Sequence, residues 1–543
     1  MDKYWYKNAI IYSADVETFK DSNNDGVGDL QGMKNALSYL SSLGVNCIWL
    51  LPIFETPNED NGYDVQDYFN VDPRLGDLGD FSEFLEAAEE KGIRILIDLP
   101  VNHTSTQHFW FQEARKDENS RYRNFYIWSK DKPKENKKNM MAEDHEDGSR
   151  WEWDEEAQAY YFHTFFKHQP DLNMAEPLVQ KEVFRIMHFW LRLGVSGFRI
   201  DAAPHMFKNK GDRQFEGDPH EIFRNFREFV ETQKKDAILL AEVDLEPEKY
   251  QDFFGDEDQM HMLFNFYVNN YLFLGFAQEK ATPVAKALKK IPPLQEKEQM
   301  AVFVRNHDEL NLDKLSDKEK EVVFEKFAPD QDMRIFGRGI RRRLASMLGN
   351  DRRKIELAHS LLLTLPGSPV LWYGQEIGMG EDLSLEGRTS VRTAMQWSNQ
   401  KNGGFSDADP DKLVRNVISE GEFGYQNVNV NDQQRDPDSL LNWMARAIKF
   451  RREFEEFGWG DYEVLKTGNE KVLAHARQSD KGYSLALHNF SGEPQTVKLK
   501  LKDADEIQDI FGNERYEAFD PEVQEVELTA YGYRWLHKRK IFL

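Results

Sequence analysis

Short apolar runs alternate with longer amphipathic segments along most of the chain. Eight runs have the length and composition of buried strands, at residues 9–16, 47–53, 94–101, 197–201, 237–243, 262–266, 301–306 and 368–374. Segments between them, such as 30–44 and 183–194, repeat apolar residues every three or four positions, which is typical of helices with one buried face. Apolar strands separated by such helices predict an α/β fold with a parallel sheet, and eight units predict a closed (β/α)8 TIM barrel.

Two regions depart from this alternation. Residues 104–170, after the third predicted strand, are too long for a bare loop and predict an inserted subdomain. After the helical segment 440–458, short segments with alternating apolar residues predict a C-terminal antiparallel β-sandwich domain over 459–543. The barrel is therefore expected over 1–103 and 171–458.

The charge balance narrows the choice of partners. Seventy Lys and Arg residues against 95 Asp and Glu give a net charge of −25, which repels phosphate backbones and anionic lipids, so we expect no nucleic acid and no membrane as partners. The N-terminus has no apolar signal segment, and no apolar run has the length of a membrane helix, which predicts a cytoplasmic protein. The residues leave a homo-oligomer possible.

Polar residues cluster at the ends of the predicted strands, where a barrel of this type carries its active site. The strand ends read DLPVNH (98–103), GFRID (197–201), AEV (241–243) and RNHD (305–308). A single acid at a strand end is more often a helix cap or part of a surface ion pair. Four strands that deliver ionisable groups to one rim favour a catalytic site instead.

Asp201 and Glu242 end consecutive predicted strands. Adjacent strands can place two carboxyl groups about 5 to 5.5 Å apart, the spacing that retaining glycoside-processing enzymes use. Arg199 points to the same side of its strand as Asp201 and is expected to hold that carboxylate ionised. Glu242 follows an apolar run and has Asp201 and Asp308 nearby, so its carboxyl should be harder to ionise. The pattern predicts Asp201 as nucleophile and Glu242 as general acid/base.

Four segments resemble, in order and spacing, the signature regions of the α-amylase superfamily (glycoside hydrolase family 13). They are DLPVNH (98–103), GFRIDAAPH (197–205), LLAEV (239–243) and FVRNHDE (303–309). The resemblance implies a retaining α-glucoside-processing enzyme in which Asp201 is the nucleophile, Glu242 the acid/base and Asp308 a transition-state stabiliser. It also implies that the reacting glucose is bound by His103, Arg199 and His307 and stacks on Tyr63.

Within the superfamily, further segments most resemble trehalose synthases, which interconvert maltose and trehalose. They are YFHTFFKHQPDLN (161–173), RRRLASML (341–348), VRTAMQWS (391–398) and GYQNVNVNDQQRDPDSLLNW (424–443). The resemblance implies intramolecular glucosyl transfer, with maltose, trehalose and short maltooligosaccharides as the small α-glucosides bound. It places Arg435 in the pocket, where we expect an ion pair with Asp60 that closes the cavity.

Two departures from this pattern leave a hydrolase open. His205 stands where amylases place a histidine that contacts sugar beyond the cleavage point, and Val243 and Asp244 replace residues expected near the departing glucose. The alternative is thus an α-glucosidase or maltogenic amylase, in which water resolves the covalent intermediate. A non-catalytic barrel, as in transporter-associated members, is disfavoured because all three acids are present.

The segment DSNNDGVGD (21–29) places oxygen atoms at alternating positions, as a hard cation requires. It resembles the calcium loop of many oligosaccharide-acting members, and we expect one structural Ca²⁺ there, with a plain turn as the alternative. The expected ligands are Asp21, Asn23, Asp25, Val27 and Asp29. A second calcium site would use Asn102, Asp171 and an acid at position 208, but Lys208 stands there and disfavours it. No organic cofactor is expected.

Overall fold

Eight parallel strands close into a barrel in the computed structural model, which describes residues 3–134, 149–206, 217–501 and 505–539. The strands are β1 (Ile11–Ala14), β2 (Cys47–Leu50), β3 (Arg94–Leu99), β4 (Gly197–Ile200), β5 (Ile238–Ala241), β6 (Met262–Phe264), β7 (Gln299–Phe303) and β8 (Ser368–Trp372). The sheet closes because β1 pairs in parallel with both β2 and β8. Each predicted apolar run contributes one strand, so the predicted barrel is confirmed.

Amphipathic helices cover the outer face of the barrel. The longest are α1 (Leu30–Leu43), α2 (Leu78–Glu90), α3 (Pro177–Leu193), α4 (Glu221–Gln233), α5 (Phe266–Gln278), α6 (Arg352–Thr364) and α7 (Leu440–Glu453). Shorter helices lie at Val16–Phe19, Phe109–Lys116, Ala203–Met206, Tyr250–Phe254, Thr282–Leu288, Asp317–Phe327, Leu344–Met347, Val430–Arg435 and Glu456–Trp459. In the described ranges, no helix combines the length and the apolar character needed to cross a membrane.

Helix α3 shows how the local sequence sets these elements. Its first residue, Pro177, has no N–H to leave unpaired in the first turn, and the chain leaves the helix at Gly194 with a positive φ of 129°. Residues that recur every three or four positions, including Val183 and Trp190, are buried against the barrel.

The connection from β3 to α3 carries a small sheet of its own. Its three antiparallel strands are Trp128–Ser129, Trp151–Asp154 and Ala159–Phe162, with the last in the centre. Ile127, Trp151 and Phe162 form a separate buried cluster between them. The predicted inserted subdomain is therefore present after the third barrel strand.

The C-terminal strands form two packed antiparallel sheets. These strands are β9 (Asp461–Val464), β10 (Val472–Gln478), β11 (Gly482–Asn489), β12 (Gln495–Lys498), β13 (Gln508–Gly512), β14 (Glu525–Leu528) and β15 (Tyr533–Arg539). The order β9-β10-β11-β15-β13 makes one sheet, and β12 pairs with β14 in the other. A shared apolar cluster joins Leu485 of the first sheet to Val497 and Val526 of the second, which confirms the predicted β-sandwich.

The barrel interior changes from apolar to charged along its axis. Cys47 and Leu96 belong to a buried apolar cluster inside the barrel. Alternate residues of a strand share a face, so Asp98, two positions after Leu96, also faces the interior but nearer the carboxyl end. The apolar layer therefore lies nearer the amino ends of the strands than the charged groups do.

Candidate active site

A cavity of about 430 Å³ opens at the carboxyl ends of the barrel strands. Seven of the ten residues predicted for catalysis or substrate binding line it: Asp60, Tyr63, His103, Asp201, His205, Glu242 and Asp308. Arg199 and His307 contact members of this set from beneath. Segments more than 200 residues apart in the sequence thus meet in one pocket, as the strand-end argument predicts.

Arg199, on β4, joins three carboxyl groups from three neighbouring strands. Its Nη1 donates to Asp98 at 2.9 Å and to Asp201 at 2.5 Å, and its Nη2 donates to Glu242 at 2.8 Å. The guanidinium is buried and lies 5.3 Å from the centre of the Trp49 ring. One rigid cation therefore sets the positions of Asp201 and Glu242 relative to each other.

The backbone after Asp201 supports the same arrangement. Ala202 has a φ of 47°, which is unusual for a residue with a side chain and turns the chain sharply at the end of β4. Its N–H donates to Oε2 of Glu242 at 3.2 Å. Such backbone strain is characteristic of functional sites, where the surroundings impose it.

Burial and neighbouring charges give the two central acids, Asp201 and Glu242, different pKa values. Burial raises the pKa of Asp201 to about 6, because the loss of water outweighs the favourable charge of Arg199. Burial likewise raises the pKa of Glu242 to about 7, and the charges of Asp201 and Asp308 add to the rise. Glu242 therefore keeps its proton to a higher pH than Asp201 does, as the sequence predicted. The expectation that Arg199 alone keeps Asp201 ionised is wrong, because burial raises the pKa of Asp201 in spite of that contact.

Asp308 has a different environment. Arg392 donates to its Oδ1 at 2.9 Å, Arg388 lies 3.4 Å from the same oxygen, and His307 Nε2 lies 3.1 Å from Oδ2. Burial disfavours the charged carboxylate, yet the contacts with His307 and with the two arginines lower the pKa of Asp308 below its ordinary value. Asp308 is therefore an anion throughout the range in which Asp201 and Glu242 titrate.

Tyr63 and His307 form a parallel pair at the base of the pocket. Their rings are 5.9 Å apart with an angle of 7° between the planes, and the Tyr63 hydroxyl lies 2.9 Å from His307 Nε2. The same hydroxyl donates to Asp98 at 3.1 Å. Burial lowers the pKa of His307 well below its ordinary value, so its imidazole is neutral. Tyr63 is thus held rigidly where it lines the cavity, as a stacking platform requires.

The predicted ion pair between Arg435 and Asp60 is wrong. Arg435 is exposed at the end of the helix Val430–Arg435 and does not line the cavity. Asp60 instead accepts a hydrogen bond at 2.8 Å from the Nε2 atom of Gln169, in the inserted subdomain. Burial raises the pKa of Asp60 to about 7, and the charge of Arg388 is the largest effect that opposes this rise.

The inserted subdomain supplies part of the pocket wall that motif matching missed. Phe165 packs between His103 and His205, with ring centres 5.4 and 5.6 Å away. Phe166 and Gln169 line the cavity beside it. All three lie in the segment YFHTFFKHQPDLN, whose aromatic and amide content was the available signal.

The connections after β7 and β8 supply the remaining charged wall. The residues there that were not predicted are Glu309, Asn311, Asp313, Lys314, Arg338 and Arg388. Arg388 donates to Glu309 at 2.7 Å, and Lys314 lies 3.0 Å from Asp244. The sequence offered no signal for these pairs, because each joins segments that are distant along the chain.

In the structure, side-chain oxygen atoms of the loop 21–29 accept hydrogen bonds from backbone N–H groups of the loop and of the helix that follows it. Asp21 accepts from the N–H groups of Asn24 at 2.7 Å and Gly26 at 2.9 Å, and Asp29 caps α1 through the N–H of Gly32 at 2.6 Å. Within the described part of the chain, no group of three or more His, Cys, Asp or Glu side chains is placed to hold a metal ion. The donor chemistry of the loop suits a hard cation, and calcium stays a prediction there.

The second calcium position concerns Asp171 and Lys208. Asp171 accepts from both the N–H and the hydroxyl of Thr164, at 2.7 and 2.6 Å. Lys208 lies outside the described residues.

The chain has a closed parallel barrel with an inserted subdomain, and its carboxylate-rich pocket lies at the carboxyl ends of the strands. These features place it among the TIM-barrel enzymes. Residues 11–460 match the family model described as "Alpha amylase, catalytic domain", and residues 462–535 match "Maltogenic Amylase, C-terminal domain". The chain belongs to the α-amylase family, so the resemblance inferred from the four segments is confirmed.

Individual proteins of the family show which members this chain is similar to. A trehalose synthase/amylase of Mycolicibacterium smegmatis is 40% identical over 515 residues, which cover 92% of this chain and 86% of that protein. A trehalose synthase of Thermus thermophilus is 42% identical over 92% of this chain, but the match spans only 52% of that longer relative. The crystal structure of an α-amylase from H. orenii superposes with a TM-score of 0.79 at 30% identity and covers 98% of this chain and 99% of that one.

The pKa values predict a narrow pH optimum if Asp201 is the nucleophile and Glu242 the acid. As the pH rises through about 6, Asp201 loses its proton and kcat/KM should increase. As the pH rises through about 7, Glu242 loses its proton and kcat/KM should decrease. Initial rates with maltose, measured across the pH range, should therefore give a bell-shaped pH profile. Its two apparent pKa values describe Asp201 and Glu242 together, because the two carboxyl groups interact.

An alkaline limb near pH 10 in place of 7 would contradict the assignment of the acid. Glu242→Gln provides the control, because an amide has no proton to lose and its residual activity should lack the alkaline limb.

Proposed function

We propose that this chain converts maltose to trehalose by intramolecular glucosyl transfer with retention, and that it binds trehalose and short maltooligosaccharides in the same pocket. The observation that supports this most directly is the single Arg199 guanidinium that holds Asp201 and Glu242 side by side. The 40% identity to a trehalose synthase/amylase over 92% of the chain supports the choice of reaction.

In the first step, a carboxylate oxygen of Asp201 attacks the anomeric carbon of the non-reducing glucose. The bond from that carbon to the linking oxygen breaks, and Glu242 gives its proton to that oxygen as the second glucose departs. The ionised Asp308, held by Arg388 and Arg392, accepts hydrogen bonds from hydroxyls of the reacting ring. These bonds favour the transition state, and its positive charge also lies near the carboxylates of Asp201 and Asp308.

In the second step, the freed glucose turns and presents its own anomeric hydroxyl. That oxygen attacks the glucosyl carbon, the bond to Asp201 breaks, and the hydroxyl proton passes to Glu242. Two inversions at one carbon give retention. Phe165, Phe166 and Gln169 form a wall that limits access of water to the intermediate.

Hydrolysis of α-1,4-glucosides, as in an α-glucosidase or maltogenic amylase, is the alternative outcome of the same intermediate. His205 and Asp244 line the pocket and are the residues whose identity favours it. Water would then take the place of the freed glucose in the second step.

The products formed from maltose distinguish the two outcomes. Incubation of the purified protein with maltose, followed by chromatographic separation of trehalose, glucose and maltotriose, should yield trehalose with little glucose. Glucose without trehalose would overturn the transfer reaction and leave the hydrolase. The absence of product from maltose, trehalose and maltooligosaccharides alike would overturn both.

Substitution of the two central acids tests the double displacement. Glu242→Gln should lower turnover of maltose by about 10²- to 10⁴-fold, the ordinary contribution of a general acid. Asp201→Asn should lower it further, because no covalent intermediate can form. Glu83→Gln, a surface carboxyl-to-amide change at a pair with Lys34, is the matched control and should keep full activity.

Thermal unfolding of each variant shows whether the fold persists. A folded Asp201→Asn protein with near-normal turnover would refute the role of Asp201 as nucleophile.

We also propose one structural Ca²⁺ at the loop 21–29, with Asp21, Asn23, Asp25, Val27 and Asp29 as ligands. Ca²⁺ that binds only the folded state should raise the unfolding temperature in proportion to the logarithm of its concentration, and a chelator should reverse the rise. Asp25→Asn should reduce the effect, as measured by thermal unfolding and by titration calorimetry. An unfolding temperature that Ca²⁺ does not change in the native chain would identify the loop as a plain turn.

A further inference from the structure

Lys314 forms an ion pair with Asp244 at the wall of the pocket. Its Nζ lies 3.0 Å from the Oδ1 atom of Asp244 and also donates to the backbone carbonyl of Asp244 at 3.0 Å. The Lys314 side chain is only 12% exposed, and both residues line the cavity. Two contacts to one residue, one to its side chain and one to its backbone, fix both the direction of the carboxylate and the course of the chain.

Two asparagines complete this arrangement. Asn311 donates to Oδ2 of Asp244 at 2.7 Å, so both carboxylate oxygens have partners. Asn270, on α5, donates to the carbonyl of Asn311 at 2.8 Å and accepts from the N–H of Lys314 at 3.2 Å. The segments that follow β5, β6 and β7 are thus joined on one side of the pocket.

The ion pair matters for the reaction because Asp244 lies close to Glu242 in the sequence. Asp244 comes two residues after Glu242 in the segment that leaves β5. The N–H of Glu242 donates to Ile200 of β4 at 3.0 Å, so one end of this short segment is fixed by the barrel. The other end is fixed by Lys314, which follows Asp308 by six residues in the segment that leaves β7. The pair therefore connects the segment of the general acid to that of the transition-state stabiliser.

We propose that Lys314 is a positioning residue for the reaction, which through Asp244 holds the Glu242 segment against the Asp308 segment and so sets where the acid meets the departing oxygen. The proposal rests on the proposed retaining mechanism. Arg199 contacts both acids, but Asp201 follows Arg199 by two residues at the end of β4, whereas Glu242 begins the segment after β5 that Lys314 holds through Asp244. A shift of about 1 Å in Glu242 is enough to weaken proton transfer, and attack by Asp201 should continue.

The leaving group provides a readout that a merely structural role would not affect. Departure of glucose from maltose needs the proton of Glu242, whereas departure of fluoride from α-D-glucosyl fluoride needs little protonation. Lys314→Met should therefore lower kcat/KM for maltose by about tenfold or more, a fraction of the full contribution of a general acid. It should lower kcat/KM for the fluoride by less than about threefold, since attack by Asp201 is retained.

Three further variants sharpen the test. Lys314→Arg keeps the charge and should recover most of the maltose activity. Asp244→Asn combined with Lys314→Met should lose no more activity than the worse single variant, because the two residues act as one unit. Lys34→Met removes a partly buried lysine that pairs with Glu83 at 2.7 Å, where neither residue lines the pocket, and it should leave kcat/KM for both substrates unchanged.

The outcomes separate this proposal from the proposed function. Equal losses on maltose and on the fluoride, or no loss on either, would overturn the role of Lys314. Glu242→Gln is assayed with the same two substrates: if it also fails to discriminate between them, the general-acid assignment itself is wrong. If Glu242→Gln discriminates and Lys314→Met does not, only the positioning role fails.

Discussion

The site depends on one buried cation, the guanidinium of Arg199. Burial of a charge is unfavourable unless partners compensate it, and Arg199 is 2% exposed with carboxylates on two sides. Asp98, Arg199 and Glu242 belong to or directly follow β3, β4 and β5, so the same contacts connect three neighbouring strands of the barrel. Without the cation, three carboxyl groups would face one another in a region that excludes water, and their charges would repel.

The number of cations around each carboxyl group affects its pKa and therefore the role it can take in the reaction. Asp98, Asp201 and Glu242 share one guanidinium, and burial raises the pKa of all three above the ordinary value. Asp308 lies within 3.4 Å of two guanidinium groups, those of Arg388 and Arg392, and its pKa is lowered. Asp201 and Glu242, which share one cation, titrate near neutral pH, whereas Asp308, beside two guanidinium groups, stays anionic.

The barrel and the centre of the site could be predicted because their determinants are local. Each strand is a short apolar run, and the polar residue that ends it must lie at the rim, so Asp201, Glu242 and Asp308 follow from the pattern alone. Arg435 was placed wrongly because its position depends on how a long connection after β8 folds. Gln169, the actual partner of Asp60, comes from the inserted subdomain, and no periodicity in the sequence reveals that contact.

The strands and the connections between them also have different parts in the reaction. The strands fix the acids that make and break the bond to the glucosyl carbon, and their geometry follows from the closed sheet. The wall of the pocket is built by connections, which contribute Phe165 beside His205 and Lys314 with Asp244. Since transfer and hydrolysis share the covalent intermediate, the choice between them depends on how long this wall retains the freed glucose. Barrel enzymes with the same strand ends can therefore differ in product through their connections alone.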